Sequence, residues 1–249
     1  MEHTTLAGKA ALITGGVRRI GGAIARILHE AGMNLALHYR SSAVEAAALR
    51  DELNGLRPDS VLLLQADLLD TGRLPALVEQ ATARWGRLDL LVNNASSFYP
   101  TPLGTATEAH WEDLMGTNLK APFFLAQAAA PQLRAARGNI INIVDIHAER
   151  PMGKHPIYCA AKAGLAMLTQ ALARELGPEV RVNGVAPGAI LWPDQGASEA
   201  EQDEILSRVV LQRLGDPVHI ARTLLFLIRE GDYITGQIIA VDGGRALYM

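Results

Sequence analysis

Ala10-Ala11-Leu12-Ile13-Thr14-Gly15-Gly16-Val17-Arg18-Arg19-Ile20-Gly21 decides the fold of this chain. Its first four residues are an apolar run too short for a core helix, and they read as a strand buried on both faces. A glycine-rich turn follows at once. Ile20, Ala23, Ile24, Ile27, Leu28 and Ala31 then recur at helical spacing as far as Gly32, which caps the end. A strand that turns through glycines into an amphipathic helix is a phosphate site. The glycines let the backbone approach a pyrophosphate, and the helix N-terminus offers free N–H groups and a partial positive charge. A glycine run alone is weak evidence of this, but between strand and helix it is strong. Gly15, Ile20 and Gly21 therefore stand as cofactor residues, with Arg18 and Arg19 beside them. A cation at a helix start opposes the helix dipole by about 0.3 kcal/mol or more, so an arginine pair there is better explained by phosphate than by a plain surface.

The same rhythm continues along the chain. Leu35–Leu37, Val61–Leu64, Leu88–Val92, Asn139–Val144, Val180–Val185 and Gln237–Val241 read as further strands. Residues 43–54, 72–85, 107–136 (in two segments), 157–177, 199–214 and 216–230 read as helices. Strand–helix alternation of this kind predicts an α/β fold, a doubly wound parallel sheet of Rossmann type with helices on both faces. With no linker, repeat or low-complexity segment, residues 1–249 read as one domain.

Composition excludes several classes. Apolar residues make up 49% and charged residues 20%, and the net charge of −3 argues against nucleic acid or an anionic membrane as partner. No run of 18 apolar residues offers a membrane span, and the start shows no signal peptide. The single cysteine, Cys159, has no disulfide partner, and the seven histidines show no metal-ligand spacing. A cytoplasmic enzyme without a metal is the expectation.

The end of the second strand selects the cofactor. Binders of NAD place an acid there, about 20 residues past the glycines, for the ribose 2′-hydroxyl. This chain has His38-Tyr39-Arg40-Ser41-Ser42. An arginine and hydroxyls suit a 2′-phosphate, so NADP(H) is expected. Asp67 ends the third strand, placed to accept from an adenine amino group or to cap a helix. Asn93-Asn94-Ala95-Ser96 follows the fourth strand, and Pro187-Gly188 the sixth.

Tyr158 and Lys162, four apart on a helix, share one face with Cβ atoms about 5–6 Å apart. An ammonium that close is expected to favour the phenolate and lower the tyrosine pKa. Asp145 ends the fifth strand. A carboxyl there can carry a proton or bind an N–C–N edge through two oxygens. His147 and Glu149 beyond it could line the cleft but read rather as loop polarity, Cys159 reads as inert packing, and Phe98 as either a pocket ring or core.

These motifs together resemble the short-chain dehydrogenase/reductase family, and more narrowly its pteridine reductases. Thr-Gly-x-x-x-Arg-x-Gly (14–21), His-Tyr-Arg-Ser-Ser (38–42), Asn-Asn-Ala-Ser-Ser-Phe-Tyr-Pro-Thr-Pro-Leu (93–103), Asp145, Tyr158-x-x-x-Lys162 and the closing Val-Asp-Gly-Gly-Arg (241–245) carry the likeness. Arg19 stands where the wider family has glycine, Ser96 also replaces a glycine, and Asp145 stands where most members have serine. The resemblance implies a homotetramer that reduces pterins, and in some members folates, with NADPH; without long insertions the chain resembles the compact bacterial type. It implies that Leu68, Asn94, Ala95, Ser96 and Ile190 contact the cofactor and that Lys162 holds its ribose. It further implies that Asn118 kinks a helix and holds a relay water, that Phe98 stacks the pterin, and that Arg19, Ser96, Leu191 and Trp192 complete the substrate pocket. Trp192 reads equally as packing. Two other readings stand beside this one: a carbonyl reductase acting on an acyl thioester or sugar ketone, and an idle dinucleotide sensor.

Overall fold

Each apolar run becomes a strand, and the strands pair in parallel throughout. The computed structural model describes residues 5–192 and 198–248; residues 1–4, part of the start read above for a signal peptide, lie outside them. The elements run β1 (Ala10–Ile13), α1 (Arg19–Glu30), β2 (Asn34–Tyr39), α2 (Ala43–Leu56), β3 (Val61–Gln65), α3 (Leu74–Trp85), β4 (Leu90–Asn93), α4 (Glu108–Met115), α5 (Ala121–Ala136), β5 (Asn139–Ile143), α6 (Pro156–Leu176), β6 (Arg181–Pro187), α7 (Glu199–Ser207), α8 (Pro217–Arg229) and β7 (Ile238–Val241). The sheet order is β3-β2-β1-β4-β5-β6-β7, with every neighbour parallel. This is the expected doubly wound Rossmann arrangement. Its order reverses between β1 and β4, where such sheets open a crevice at their carboxyl edge.

Alternate strand residues feed opposite layers. Ala11, Ile13, Leu35 and Leu37 pack with Ile24 and Leu28 of α1, Leu49 and Leu53 of α2, and Leu224 and Leu227 of α8. Leu12, Ala36 and Leu91 pack with Leu77 of α3, Leu125 and Leu133 of α5, and Leu176 of α6. Each leucine and isoleucine among them contributes about 1.5–3 kcal/mol by leaving water.

The predicted helix of 199–214 stops early: α7 ends at Ser207. There the backbone turns away, Gln212 takes a φ of 49°, and Leu211 N–H donates to Gly243 O at 3.1 Å. The chain after α7 is thus tied to the C-terminal segment, which an i→i−4 helix could not allow. The stretch 107–136 forms the two expected helical segments, α4 and α5, joined by a π turn over Gly116–Lys120. Across that turn the Asn118 side-chain amide donates to the Leu114 carbonyl at 2.9 Å. Gly116 lets this turn settle on Leu69, since a Cβ there would lie 2.4 Å from Leu69 Cδ2.

Asn142 is fully buried, accepting from Asn93 Nδ2 and donating to Thr169 Oγ1, each at 2.8 Å. It therefore ties β4, β5 and α6 together. Asn142→Ala strands both partners in the core. Urea unfolding should show a loss of about 2–3 kcal/mol with the cooperativity of the transition kept; a loss under about 0.5 kcal/mol would mean that water replaces the amide.

Candidate active site

The carboxyl edge of the sheet opens into a cleft of about 640 Å³. Of the cofactor, substrate and catalytic residues expected from sequence, all but Asn118 line it. At one end is the glycine-rich turn. Gly15 has a φ of 57°, and a Cβ on Gly21 would fall 2.1 Å from Gly15 O, so only hydrogens fit between the turn and the start of α1. This is a cradle shaped for close approach of phosphate to backbone. Asn94 clamps it: its side-chain amide donates to Thr14 O and Gly15 O, both at 2.9 Å, while Thr14 Oγ1 accepts from the backbone N–H groups of Asn94 and Ala95 at 3.0 and 3.1 Å.

His38 supports the same turn from below. Gly15 N–H donates to its Nδ1 at 3.2 Å, and Nε2 lies 3.1 Å from Ala66 O. A carbonyl only accepts, so the ring is the neutral Nε2–H tautomer. Burial holds its pKa below the usual histidine value. His38 lines the cleft, but both its nitrogens serve the fold. The end of β2 adds Tyr39, Arg40 and Ser41 to the wall and no carboxylate. Arg18 sits in an exposed ion pair with Glu45 at 3.2 Å, weak enough to open for a phosphate. Asp67 caps no helix: its Oδ1 accepts from Leu69 N–H at 3.0 Å, a local turn, and the next helical turn starts at Thr71. Leu68, Gly188 and Ile190 complete this end, where Gly188 leaves room for Asp242, 2.5 Å from a built Cβ.

Arg19 has a φ of 49° at the position where the wider family has glycine. A left-handed arginine costs of order 1 kcal/mol, which favours a use for its side chain. Its guanidinium donates to the Trp192 carbonyl at 3.3 Å and so joins the turn to the Leu191–Trp192 loop. Both loop residues line the cleft, Leu191 exposed and Trp192 half-buried.

The middle of the cleft holds the titratable groups. Tyr158 donates to Asp145 Oδ2 at 2.7 Å, and Asp145 Oδ1 accepts from His147 N–H at 2.9 Å. Lys162, 2% exposed, donates to Ile143 O at 2.9 Å and stands 5.7 Å from the Tyr158 ring centroid. The expected lowering of the tyrosine pKa is overturned. Burial, and then the Asp145 carboxylate beside the hydroxyl, push it well above the ordinary phenol value, with Ser96 acting weakly the other way. The reason is placement: the ammonium lies over the ring and is bonded to a carbonyl, while the carboxylate touches the oxygen. Burial also pulls the Lys162 ammonium down to about 8, against the attraction of Asp145.

Asn118 stands behind this row. Ser96 Oγ donates to its Oδ1 at 2.7 Å, and its amide donates to Ser97 O at 2.9 Å. The loop carrying Phe98 is pinned by Tyr99 Oη and Ser97 Oγ on Asp113, at 2.9 and 3.2 Å. Phe98 is 52% exposed, stacked on His155 at 4.8 Å and edge-on to Tyr158 at 4.8 Å, so it is a cleft ring and not core. Sequence reading missed His155, which gives no signal beyond its place before the helix, and Arg245, which lines the cleft from the far end of the chain. His147, weighed as cleft lining and read rather as loop polarity, is 5% exposed and lines the cleft. Cys159 is buried, with Sγ accepting from Met152 N–H at 3.3 Å. Among the described residues no His, Cys, Asp and Glu cluster could hold a metal, and no helix is long and apolar enough to cross a membrane.

A family model described as enoyl-(acyl carrier protein) reductase matches residues 15–246. The chain belongs to the short-chain dehydrogenase/reductase family. It is 35% identical to pteridine reductase 1 of Leishmania tarentolae, with 98% of each chain covered. It is 38% identical to the 3-oxoacyl-[acyl-carrier-protein] reductase FabG of Staphylococcus aureus, over 97% of this chain and 98% of that one. A solved structure of a blue fluorescent protein from a metagenomic library, in complex with NADPH, superposes with a TM-score of 0.91 at 38% identity, covering 98% of this chain and 100% of that one.

The depressed Lys162 pKa has a measurable consequence. Below pH about 8 folded and unfolded chains both keep this proton, and folding bears the full cost of burying the ammonium. Between about 8 and 10.5 the folded state has released it and the unfolded state has not, so this group's contribution to stability rises with pH. Denaturant titrations of the parent and Lys162→Met should therefore show the stability difference shifting in favour of the parent over that window. A flat difference would place the ammonium in contact with water.

Proposed function

We propose that this chain is an NADPH-dependent pteridine reductase, reducing a dihydropterin such as dihydrobiopterin or dihydromonapterin, and dihydrofolate as a further candidate, to the tetrahydro form. The observation that carries this reading is the Asp145 carboxylate, 2.7 Å from the Tyr158 hydroxyl where most of the family has serine. NADPH supplies the hydride when bound. Tyr158, kept protonated by its surroundings, gives a proton to the ring nitrogen beside the reduced carbon, and Asp145 is in bonding contact to return one. Lys162 would hold the nicotinamide ribose, and Asn118 a relay water. Phe98, with Tyr158 at its edge, supplies a flat face for a flat heterocycle. Arg19 and Ser96 serve both pyrophosphate and ring edge, while Leu191 and Trp192 shape the outer wall. The whole chain is read as one domain. The homotetramer implied by the resemblance is supported by exposed Phe123 on α5 and Met167 on α6.

The second reading, a 3-oxoacyl-type carbonyl reductase, is favoured by the 38% identity to the staphylococcal FabG. Asp145 separates the two. A ketone oxygen becomes negative as it accepts hydride, and a carboxylate beside the proton donor disfavours that charge. A ring nitrogen develops the same demand for a proton but can be supplied through the acid itself. An idle sensor would have no physical use for Tyr158, Lys162 and Asp145 gathered at one point.

Asp145→Ser should keep NADPH binding and lose most dihydropterin reduction, and Tyr158→Phe should reduce turnover about 10²-fold or more. NADPH oxidation followed with a dihydropterin and with a panel of 3-oxoacyl thioesters and ketones decides the matter; parent-rate pterin reduction by the serine variant would transfer the assignment to the carbonyl reductase.

Arg40 and Ser41 give a separate expectation. The parent should prefer NADPH to NADH by about tenfold or more in kcat/KM, roughly 1.4 kcal/mol, and Arg40→Asp should narrow that ratio. Steady-state rates with the two cofactors check it, and equal use by the parent would sink it.

A further inference from the structure

Phe98 is the ring offered to the substrate, yet it sits on a stretch without regular secondary structure between β4 and α4. Its side chain is 52% exposed, so packing alone does not fix it. What fixes it is a carboxylate on the helix that follows. Asp113 of α4 is half-buried and lies outside the lining of the cleft. Its Oδ1 accepts from Ser97 Oγ at 3.2 Å and its Oδ2 from Tyr99 Oη at 2.9 Å. The two donors flank Phe98 in the chain, so one side chain holds the loop on both sides of the ring. Hydrogen bonds to a carboxylate are the stronger kind. Burial, and then the bond to Asp113 and its charge, push the Tyr99 phenol up to about 12, which keeps it a donor through neutral and mildly alkaline pH. The Tyr99 ring is held as well, edge-on to His110 at 5.6 Å and against a cluster that includes Leu114 and Ile157. The other ties hold the loop to either side: Asn118 bonds Ser96 and the Ser97 carbonyl, and Thr101 N–H donates to Lys154 O at 2.7 Å. On the backbone so held, the Phe98 ring lies within 7° of parallel to His155, which covers one face and leaves the other to the cleft.

We infer that Asp113 is a positioning residue for the reaction: through Ser97 and Tyr99 it sets the place and plane of Phe98, and through Phe98 the affinity for the substrate ring. It touches neither substrate nor cofactor. A loop freed at residues 97–99 would have to order its backbone each time a ring bound, and that cost falls on binding. The proton transfer would be spared, because Tyr158, Asp145 and Lys162 bond one another and the end of β5, with no bond to Asp113 among the described residues. The glycine-rich turn, clamped by Asn94, would be spared too. The loss therefore appears in the substrate KM and not in NADPH affinity. An asparagine can stand in for the carboxylate, its carbonyl accepting from one hydroxyl and its amide donating to the other. The inference rests on the pteridine-reductase reading only for the identity of the ring that Phe98 receives.

The test uses the full chain with NADPH and 7,8-dihydrobiopterin. Asp113→Leu should raise the pterin KM about tenfold, with kcat and NADPH Kd changed little, and Asp113→Asn should restore most of the loss. The decisive comparison is made on Phe98→Ala. With the ring gone Asp113 has nothing to position, so adding Asp113→Leu should leave the raised KM of that variant where it is. A further rise of the same size overturns the inference, as does a parent-like KM in Asp113→Leu alone. A second readout needs no substrate. The His155 Cε1–H resonance of the NADPH complex, assigned with His155→Gln, feels the Phe98 ring current, and Phe98→Ala should move it downfield. Asp113→Leu should move it the same way, and an unmoved resonance overturns the inference. If the parent reduces no dihydropterin, the pteridine-reductase reading fails while this resonance still decides the role of Asp113. Should Asp113→Leu fail to fold, Tyr99→Phe removes one of the two donors, keeps its own ring, and should move both readouts in the same direction; no movement in either overturns the inference.

Discussion

The amide of Asn94 closes the gap that the sheet opens between β1 and β4. Strand order reverses there, so the chains leaving the two strands diverge, and the crevice needs something to hold its lips at a fixed width. Asn94 donates to two consecutive carbonyls of the glycine-rich turn, and Thr14 returns the bond through its hydroxyl. Everything downstream takes its position from this clamp. The cradle at Gly15 and Gly21 keeps its shape, and the loop after β4 leaves in the direction that brings Ser96 to Asn118 and Phe98 to Tyr158. The clamp itself is built of backbone, amide and hydroxyl groups that do not titrate, while His38, which supports the turn from below, is held neutral by its burial.

The centre of the cleft is more delicately balanced. Lys162 is buried with a carbonyl as its direct partner, and Tyr158 is pressed against a carboxylate. Each arrangement alone is unfavourable to the charged form of the lysine or the tyrosine. The Asp145 carboxylate is common to all three of its neighbours, raising the Tyr158 hydroxyl and favouring the charged forms of Lys162 and Arg245 against their burial. Such a set responds as a unit when a cofactor brings phosphates and a ring into the cleft, because every added charge is felt through low-dielectric protein.

Much of this was legible in the sequence because it is local. The period-two and period-3.6 patterns fix strands and helices, and Tyr158 and Lys162 meet through helix spacing alone. Asp145 is announced by its place at a strand end. What was not legible depends on distance between atoms far apart in the chain. Helical spacing brings Lys162 near the Tyr158 ring but says nothing of the burial and the Asp145 contact that set the direction of the tyrosine shift. The early end of α7 follows from a bond between Leu211 and Gly243, which no local pattern records. Arg245 lies about a hundred residues from Asp145 and reaches the cleft only through the C-terminal turn. His147 looked like loop polarity because burial of a histidine is set by what packs over it.

The π turn at Gly116–Lys120 acts as a phase shift. One extra residue in a helical turn rotates all that follows by about 100°. The stripe Ala121, Leu125, Ala129 and Leu133 faces the core from α5 only after that rotation. Asn118 is at once the residue that heals the widened turn and the one that reaches Ser96 beside the cleft. Register of the core and wiring of the cleft are therefore one choice, made at one place. Deleting one residue here to restore a regular helix would turn that apolar stripe towards solvent and cut Asn118 from the cleft in the same event.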